Sequence, residues 1–494
     1  MKYTVLSLFV FYSLFSCRST EEQRPQSFLV IVLDGLRPDY VTPELMPNLH
    51  ALGEEGIVFE NHHSVYPTVT RVNSSSIATG MYPARHGVLG NSIYLPEVDS
   101  FKSLNTGDAT IMMRADSLTN GRLLLAPTMG EILESNGMEL LVVSSGSTGS
   151  AYLLNNKAKG RGMLNTDLIL PGRIRDSILA VLGPIPPDAS PNLERNARAV
   201  DAYFSFALAG TPPAVTFMWL SDPDHTAHGE GIGSKKGNES LRGVDGEIGR
   251  IREKLRELHL QEVVNIIVTS DHGFSTHAGG ADLKGLLQAL GMTAETVTAD
   301  GAIHVKNREE GSIRKIVDSL QSVGWAGAIF TRAAGEGSME GQFPGTLSFE
   351  SVHWKNDRSA DILVSANWTA DTNEKGYKGT TNQGGTAGHG TTSPYDIHNT
   401  LLAIGPSFKK RLRVPAPTAN VDIAPTLCYL LGIIPPEIMD GRVIKEALLK
   451  ENVDSPPVTQ NIHTVASGTY QLELHESVVD GHRYIDFTEV KRAK

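Results

Sequence analysis

Four stretches of this chain are apolar almost throughout: Phe28–Leu33, Leu140–Ser144, Val215–Leu220 and Val263–Thr269. A strand with one wet face alternates apolar and polar residues, whereas a strand covered on both faces does not. Each run is short, and each stops at Ser or Asp. The segments between them, Pro47–Glu55, Pro127–Asn136, Arg195–Ala209 and Leu241–Leu258, read as helices. Strands and helices in alternation imply an α/β fold: a doubly wound, mostly parallel sheet with helices on both faces.

The rest of the chain divides around that pattern. Residues 27–455 read as one catalytic α/β domain, with about 275–385 inserted as a small α+β cap. Inside the cap, Ala302–Lys306, Ser312–Val323 and Ala328–Thr331 read as a β-α-β unit, and Asp361–Ala366 is expected to return to the main sheet. Residues 456–494 read as a C-terminal β extension, with Thr469–His475 and Arg483–Phe487 as a hairpin. No pattern specifies an oligomeric state.

The N-terminus reads as an export signal. Met1-Lys2 precedes an apolar stretch from Tyr3 to Phe15, which is too short to span a bilayer. Leu14-Phe15-Ser16-Cys17 resembles a bacterial lipobox, so 1–17 is the expected signal peptide, Cys17 the lipidated residue and 18–26 a polar tether. That implies the periplasm or the outer membrane and cell surface, with membrane contact only through the lipid. Cys428, the one other cysteine, sits in an apolar run and is expected to be a buried thiol without a disulfide partner. A net charge of −11 with no long basic run excludes binding of a nucleic-acid polymer through a cationic surface. It leaves a small phosphate substrate open, because bound metal ions supply positive charge locally.

Three aspartates stand where apolar runs end: Asp34, Asp224 and Asp271. Ligands of open α/β sheets bind beyond the carboxyl ends of the strands, and converging carboxylates repel unless cations neutralise them. A single strand-end Asp is commonly a helix cap, but histidines accompany two of these three. Asp224 and His228 are one helical turn apart, Asp271-His272 shares a turn, and Gly388-His389-Gly390 offers an imidazole on a flexible loop. Mixed His and Asp donors suit zinc better than calcium or magnesium. Thr70, in Tyr66-Pro67-Thr68-Val69-Thr70-Arg71, stands where a turn enters a helix and free backbone N–H groups can hold an oxyanion. A plain Ser/Thr helix cap is the competing reading of that segment.

Together these pieces resemble the nucleotide pyrophosphatase/phosphodiesterase family of the alkaline phosphatase superfamily. The matching residues are Asp34-Gly35-Leu36-Arg37-Pro38-Asp39-Tyr40, Tyr66-Pro67-Thr68-Val69-Thr70, Thr79-Gly80-Met81-Tyr82-Pro83, His86-Gly87-Val88, Asn91, Pro223-Asp224 with His228, Ser270-Asp271-His272-Gly273 and Gly388-His389-Gly390. The resemblance implies an alkaline-phosphatase-like fold and two zinc ions. One would be held by Asp34, Thr70, Asp271 and His272, the other by Asp224, His228 and His389. It further implies Thr70 as nucleophile of a phosphodiesterase or nucleotide pyrophosphatase, and Asn91 as a contact to a phosphoryl oxygen.

Departures from the family pattern bear on specificity. Phosphodiesterases of the family carry an aromatic residue after the nucleophile, where this chain has Arg71. Arg71 could meet a negative group of the substrate, and Trp219 matches a position where the family stacks an aromatic on the base. The same site could also serve phosphomonoesters or phosphonates, or survive in a non-catalytic surface binding protein. His62-His63 is read as surface or supporting, His225 as pointing away, and His86 as orienting the Asn91 loop.

Overall fold

The computed structural model describes residues 26–493; the expected signal peptide, Cys17 and nearly all of the tether lie outside them. Nine strands form the central sheet: β1 (Ser27–Leu33), β2 (Ile57–Phe59), β3 (Leu140–Ser144), β4 (Gly162–Asn165), β5 (Ile169–Leu170), β6 (Val215–Leu220), β7 (Val264–Thr269), β8 (Leu401–Ile404) and β9 (Leu412–Val414). Their spatial order is β9-β2-β8-β7-β1-β6-β3-β4-β5. The five middle strands, β7 to β4, run parallel, and β5 and β8 join them antiparallel.

Side chains of β1 alternate between two separate cores. Phe28, Val30 and Val32 pack on one face, Leu29, Ile31 and Leu33 on the other, and all six are fully buried. This is why the run shows no polar alternation. Helices Pro47–Glu55, Leu193–Phe206 and Lys235–Glu257 cover the second face, while Thr70–Thr79 and Met129–Ser135 cover the first. Each large side chain buried this way contributes about 1.5–3 kcal/mol. Cys428 is a buried free thiol, as expected.

The cap departs from expectation at one strand. Ile362–Ala366 does not rejoin the main sheet; it pairs antiparallel with Ala302–Val305 and Ala326–Thr331 in a separate five-stranded sheet. Ala302–Val305, the helix Glu310–Ser322 and Ala326–Thr331 do form a β-α-β unit, with this strand inserted between its two strands. An apolar run says that both faces are covered, not which sheet supplies the partners. The C-terminal extension also has one strand more than the expected hairpin: Thr459–Ser467, Tyr470–Val479 and His482–Arg492. The first of these is mostly exposed, so its sequence lacks an apolar signature.

Gly273 follows the Asp271-His272 pair, and its N–H donates to the Asp396 carbonyl at 2.8 Å. A Cβ there would run into the carbonyl oxygens of Tyr395 and His398, which are backbone atoms unable to swing aside. Gly273→Ala should therefore destabilise the fold by about 1–3 kcal/mol and displace His272. Thermal melting with an activity assay checks this, and an unchanged midpoint would contradict the packing described.

Candidate active site

Register sets the site. β1 pairs in parallel with both neighbours, placing Val32 opposite Trp219 on β6 and Thr269 on β7. The three strands end level, so Asp34, Asp224 and Asp271 leave the sheet together. The Asp34 N–H donates to the Leu220 carbonyl at 3.0 Å and the Asp224 N–H to the Asp34 carbonyl at 2.9 Å. From the next residue, the Gly35 N–H donates to Asp271 Oδ1 at 3.1 Å. Gly35 has φ +72°, and a Cβ on it would lie 3.0 Å from that of Asp224, so only glycine allows this approach.

Two short elements add the remaining groups. Helix α1 (Thr70–Thr79) begins at the expected nucleophile, and helix α2 (Asp224–Glu230) carries Asp224 and His228. Asp222 anchors the start of α2, accepting from Thr226 Oγ1 at 2.6 Å, the Asn192 N–H at 2.8 Å and Asn196 Nδ2 at 3.0 Å. Ahead of α1, Asn73 clamps the incoming loop: its amide donates to the Val65 and Val69 carbonyls, and its Oδ1 accepts from the Val65 N–H.

Each of the three histidines sets its Nδ1 against a backbone carbonyl: His228 on Ala387 at 3.0 Å, His272 on Gly273 at 2.9 Å, His389 on Thr68 at 2.8 Å. A carbonyl only accepts, so Nδ1 carries the proton and Nε2 of the neutral ring presents a lone pair. Those lone pairs face carboxylate oxygens. His228 and His389 Nε2 lie 3.1 and 3.3 Å from Asp224 Oδ2. His272 Nε2 lies 3.0 Å from Asp271 Oδ2, 3.6 Å from Asp34 Oδ1 and 3.3 Å from Thr70 Oγ1. Asp34 Oδ1, Asp224 Oδ2 and Asp271 Oδ2 are buried with no hydrogen-bond donor.

Buried acceptors facing one another are unfavourable unless protons or cations lie between them. Without a cation, burial and the Asp271 and Asp224 charges hold the Asp34 carboxyl well above its ordinary value. Burial also acts on Asp224, but where the His228 and His389 rings are protonated they outweigh it and hold that group well below. The two donor sets, Asp34, Thr70, Asp271, His272 and Asp224, His228, His389, could each hold a metal ion. They abut, with the His272 and His389 rings stacked 3.4 Å apart.

The substrate-side expectations divide. Asn91 Oδ1 accepts the Arg71 backbone N–H at 3.1 Å, and Asn91 lines a cavity of about 530 Å³ together with His228 and His389. The Arg71 guanidinium forms no ion pair among the described residues, and its Nε is buried without a partner. Trp219 is not a stacking platform. It is 0% exposed on β6, and its indole N–H donates to Asp34 Oδ2 at 2.9 Å. Every side chain of β6 is buried on one face or the other, which the unbroken apolar run alone implied.

Sequence reading passed over Asp300. It lies at the turn between Thr296–Ala299 and Ala302–Val305, and its Oδ2 accepts the Ser92 N–H at 2.9 Å, so the cap grips the Asn91 segment. The Asp300-Gly301 pair between two apolar runs is a hairpin signal that could have drawn notice. His86 fits its supporting role, with Nε2 3.1 Å from Ser76 Oγ and Nδ1 accepting the Val88 N–H at 3.1 Å. His225 points away, toward Asp188. His62 and His63 are not on the surface but fully buried.

Residues 28–392 match the Type I phosphodiesterase / nucleotide pyrophosphatase family. The chain belongs to that family. Among its relatives, a bis(5'-adenosyl)-triphosphatase of Mus musculus is 24% identical over 423 residues, spanning 84% of this chain and 80% of the relative. Ectonucleotide pyrophosphatase/phosphodiesterase family member 7 of the same organism is 23% identical over 435 residues, 85% of this chain and 86% of the relative. The solved structure of inactive murine ectonucleotide pyrophosphatase/phosphodiesterase 5 in complex with AMP aligns with TM-score 0.61 at 20% identity. It covers 86% of this chain and 100% of that one, a likeness of fold. As a family member the chain is a hydrolase of the phosphodiesterase/nucleotide pyrophosphatase kind.

Crowding of the carboxylates has a signed consequence. Asp34 has a raised folded value, so its contribution to stability is present below the unfolded aspartate value, about 3.9, and is lost as pH rises through the folded one. In chelator-treated protein, Asp34→Asn should therefore raise the melting midpoint, by a margin that widens as pH rises from about 4 to 7. A margin that narrows or reverses would show that the carboxylates do not crowd one another.

Proposed function

We propose that the chain hydrolyses phosphate diesters, nucleotide pyrophosphate links among them, through a covalent phosphothreonine at Thr70 with two zinc ions. One observation carries this reading: three undonated carboxylate oxygens face three imidazole lone pairs, and one of those imidazoles, His272, lies 3.3 Å from Thr70 Oγ1 at a helix start. Ligands bound 2.0–2.1 Å from a tetrahedral zinc stand about 3.3 Å apart, and the separations of 3.0–3.6 Å within each set fit that. Asp34, Thr70, Asp271 and His272 would hold one ion, and Asp224, His228 and His389 the other. When bound, the ions would lower the proton affinity of the Thr70 hydroxyl and neutralise charge gathering on phosphoryl oxygens.

The chain's own groups do the rest. Thr70 Oγ1 gives up its proton to solvent and attacks phosphorus, forming the Thr70–phosphorus bond as the ester oxygen departs with its electron pair and takes up a proton from water. Water then attacks the same phosphorus, and Thr70 leaves with its proton restored. Asn91, its Oδ1 held by the Arg71 N–H, keeps its amide N–H groups for a non-bridging oxygen. The N-terminus of α1 favours the charge that builds there. The cavity suits a small ester, not a polymer. The names of the relatives support a nucleotide, and residues 1–17 support export with lipid on Cys17 in a bacterial periplasm or at its outer surface.

Thr70→Ala should lower kcat by at least about 10³-fold while leaving melting behaviour and zinc content nearly intact. Turnover close to wild type would remove Thr70 from the nucleophile role.

Specificity turns on Arg71. A cation without a counter-charge beside the nucleophile favours a substrate with a second anionic group, such as the next phosphate of a pyrophosphate link or a monoester dianion. The buried Trp219 offers a base nothing to stack on. Arg71→Met should raise KM about 10–100-fold for a dinucleoside triphosphate and for p-nitrophenyl phosphate. The change for bis-p-nitrophenyl phosphate should be much smaller. Equal changes across the three esters would exclude charge recognition by Arg71.

A further inference from the structure

A second cluster of ligating side chains shares no residue with the active site and joins three parts of the chain. His63 is on the short strand His62–His63, His398 on the strand His398–Asn399 paired with it, and Asp486 on the C-terminal strand His482–Arg492. One ligand atom from each lies within 4.8 Å of the other two. We propose that His63, His398 and Asp486 form a third divalent-cation site, of zinc type and structural in role, separate from the catalytic pair.

His63 carries the argument. Its Nδ1 lies 2.9 Å from the Thr418 carbonyl oxygen and its Nε2 lies 2.9 Å from Asp486 Oδ1. Both partners are acceptors, and a neutral imidazole has a single N–H to give. The same arrangement, backbone carbonyl on Nδ1 and carboxylate oxygen beyond Nε2, occurs at His228, His272 and His389. Asp486 is oriented from behind, its Oδ2 accepting from Ser477 Oγ at 2.9 Å, in the way outer partners fix a ligating carboxylate. The His398 ring supplies the third donor, its centroid 4.6 Å from that of His63. No lysine or arginine lies within ion-pair distance of Asp486 among the described residues. The surface cluster Glu473, His475, Glu489 differs, because the Lys491 ammonium already sits 3.1 and 3.6 Å from its two glutamates. Two nitrogens and one oxygen match zinc, with water completing the shell.

The position gives such an ion a purpose. His63 begins the segment that runs to Thr70, and His398 closes the one that starts at His389. An ion there would pin both active-site loops to the C-terminal sheet.

Zinc-loaded full chain, desalted and analysed by inductively coupled plasma mass spectrometry, should hold three ions, and His398→Ala and Asp486→Asn should each hold two. Both variants should keep ester turnover within a few fold and lose the upward shift in melting midpoint that added zinc gives the wild type beyond two equivalents. The same zinc count in wild type and both variants would overturn the site. Should a variant fail to fold, wild-type crystals decide the matter. An anomalous peak at the zinc edge between His63, His398 and Asp486 is expected, and its absence from zinc-loaded crystals would end the proposal.

Discussion

Mutual repulsion among three buried carboxylates is the constraint around which the rest of this structure is arranged. A parallel register brings the ends of β1, β6 and β7 level, and each delivers an aspartate to the same place. Protein groups alone do not relieve that crowding, since one oxygen of each carboxylate is buried without a donor. The surroundings fix the carboxylates in position instead. The Trp219 indole holds one oxygen of Asp34, the Gly35 N–H holds one of Asp271, and the other oxygens are left aimed at imidazole lone pairs. Such an arrangement is stable only with positive charge at its centre, and that charge is also what phosphoryl transfer requires.

Backbone carbonyls set the chemistry of the histidines as much as the histidines do. The carbonyls of Ala387, Gly273 and Thr68 each accept a hydrogen bond from Nδ1–H, which fixes one tautomer and turns Nε2 inward. Two of these contacts join separate loops: Ala387 belongs to the His389 loop but holds His228, and Thr68 belongs to the nucleophile loop but holds His389. The donor sets are therefore locked to each other before any ligand arrives.

Much of this was legible in the chain. Unbroken apolar runs ending in Asp identified the strands, their burial on both faces and the place of the site, because burial and strand-end position leave marks in one-dimensional pattern. Pairing does not. Ile362–Ala366 reads like a main-sheet strand and instead completes the cap sheet, since its side chains record coverage and not the partner's identity. Thr459–Ser467 pairs along its whole length while staying mostly exposed, so it had no apolar mark to read. Trp219 shows the limit at the site itself: an aromatic near Asp224 in sequence suggested a platform, but both faces of β6 are covered and the ring lies in one of the two cores.

That displacement shifts the question of specificity from bases to charge. With Trp219 committed to Asp34, the other polar groups linked to the Thr70 segment are Arg71, Asn91, which accepts the Arg71 N–H, and Asp300, which accepts the Ser92 N–H. Asp300 fastens the segment that carries Asn91, so the cap turn and Asn91 are tied together. Arg71 lacks a counter-ion, although Asp34, Asp224, Asp300 and Asp271 all act on its charge. An unpaired guanidinium surrounded by distant carboxylates does not gain from an apolar or neutral neighbour; it gains from an anion that can reach it. Asp34 and Asp271 follow strand ends that tolerate little change, whereas Arg71, Asn91 and Asp300 sit on a helix start and two loops. These three positions can therefore vary without disturbing the buried carboxylates.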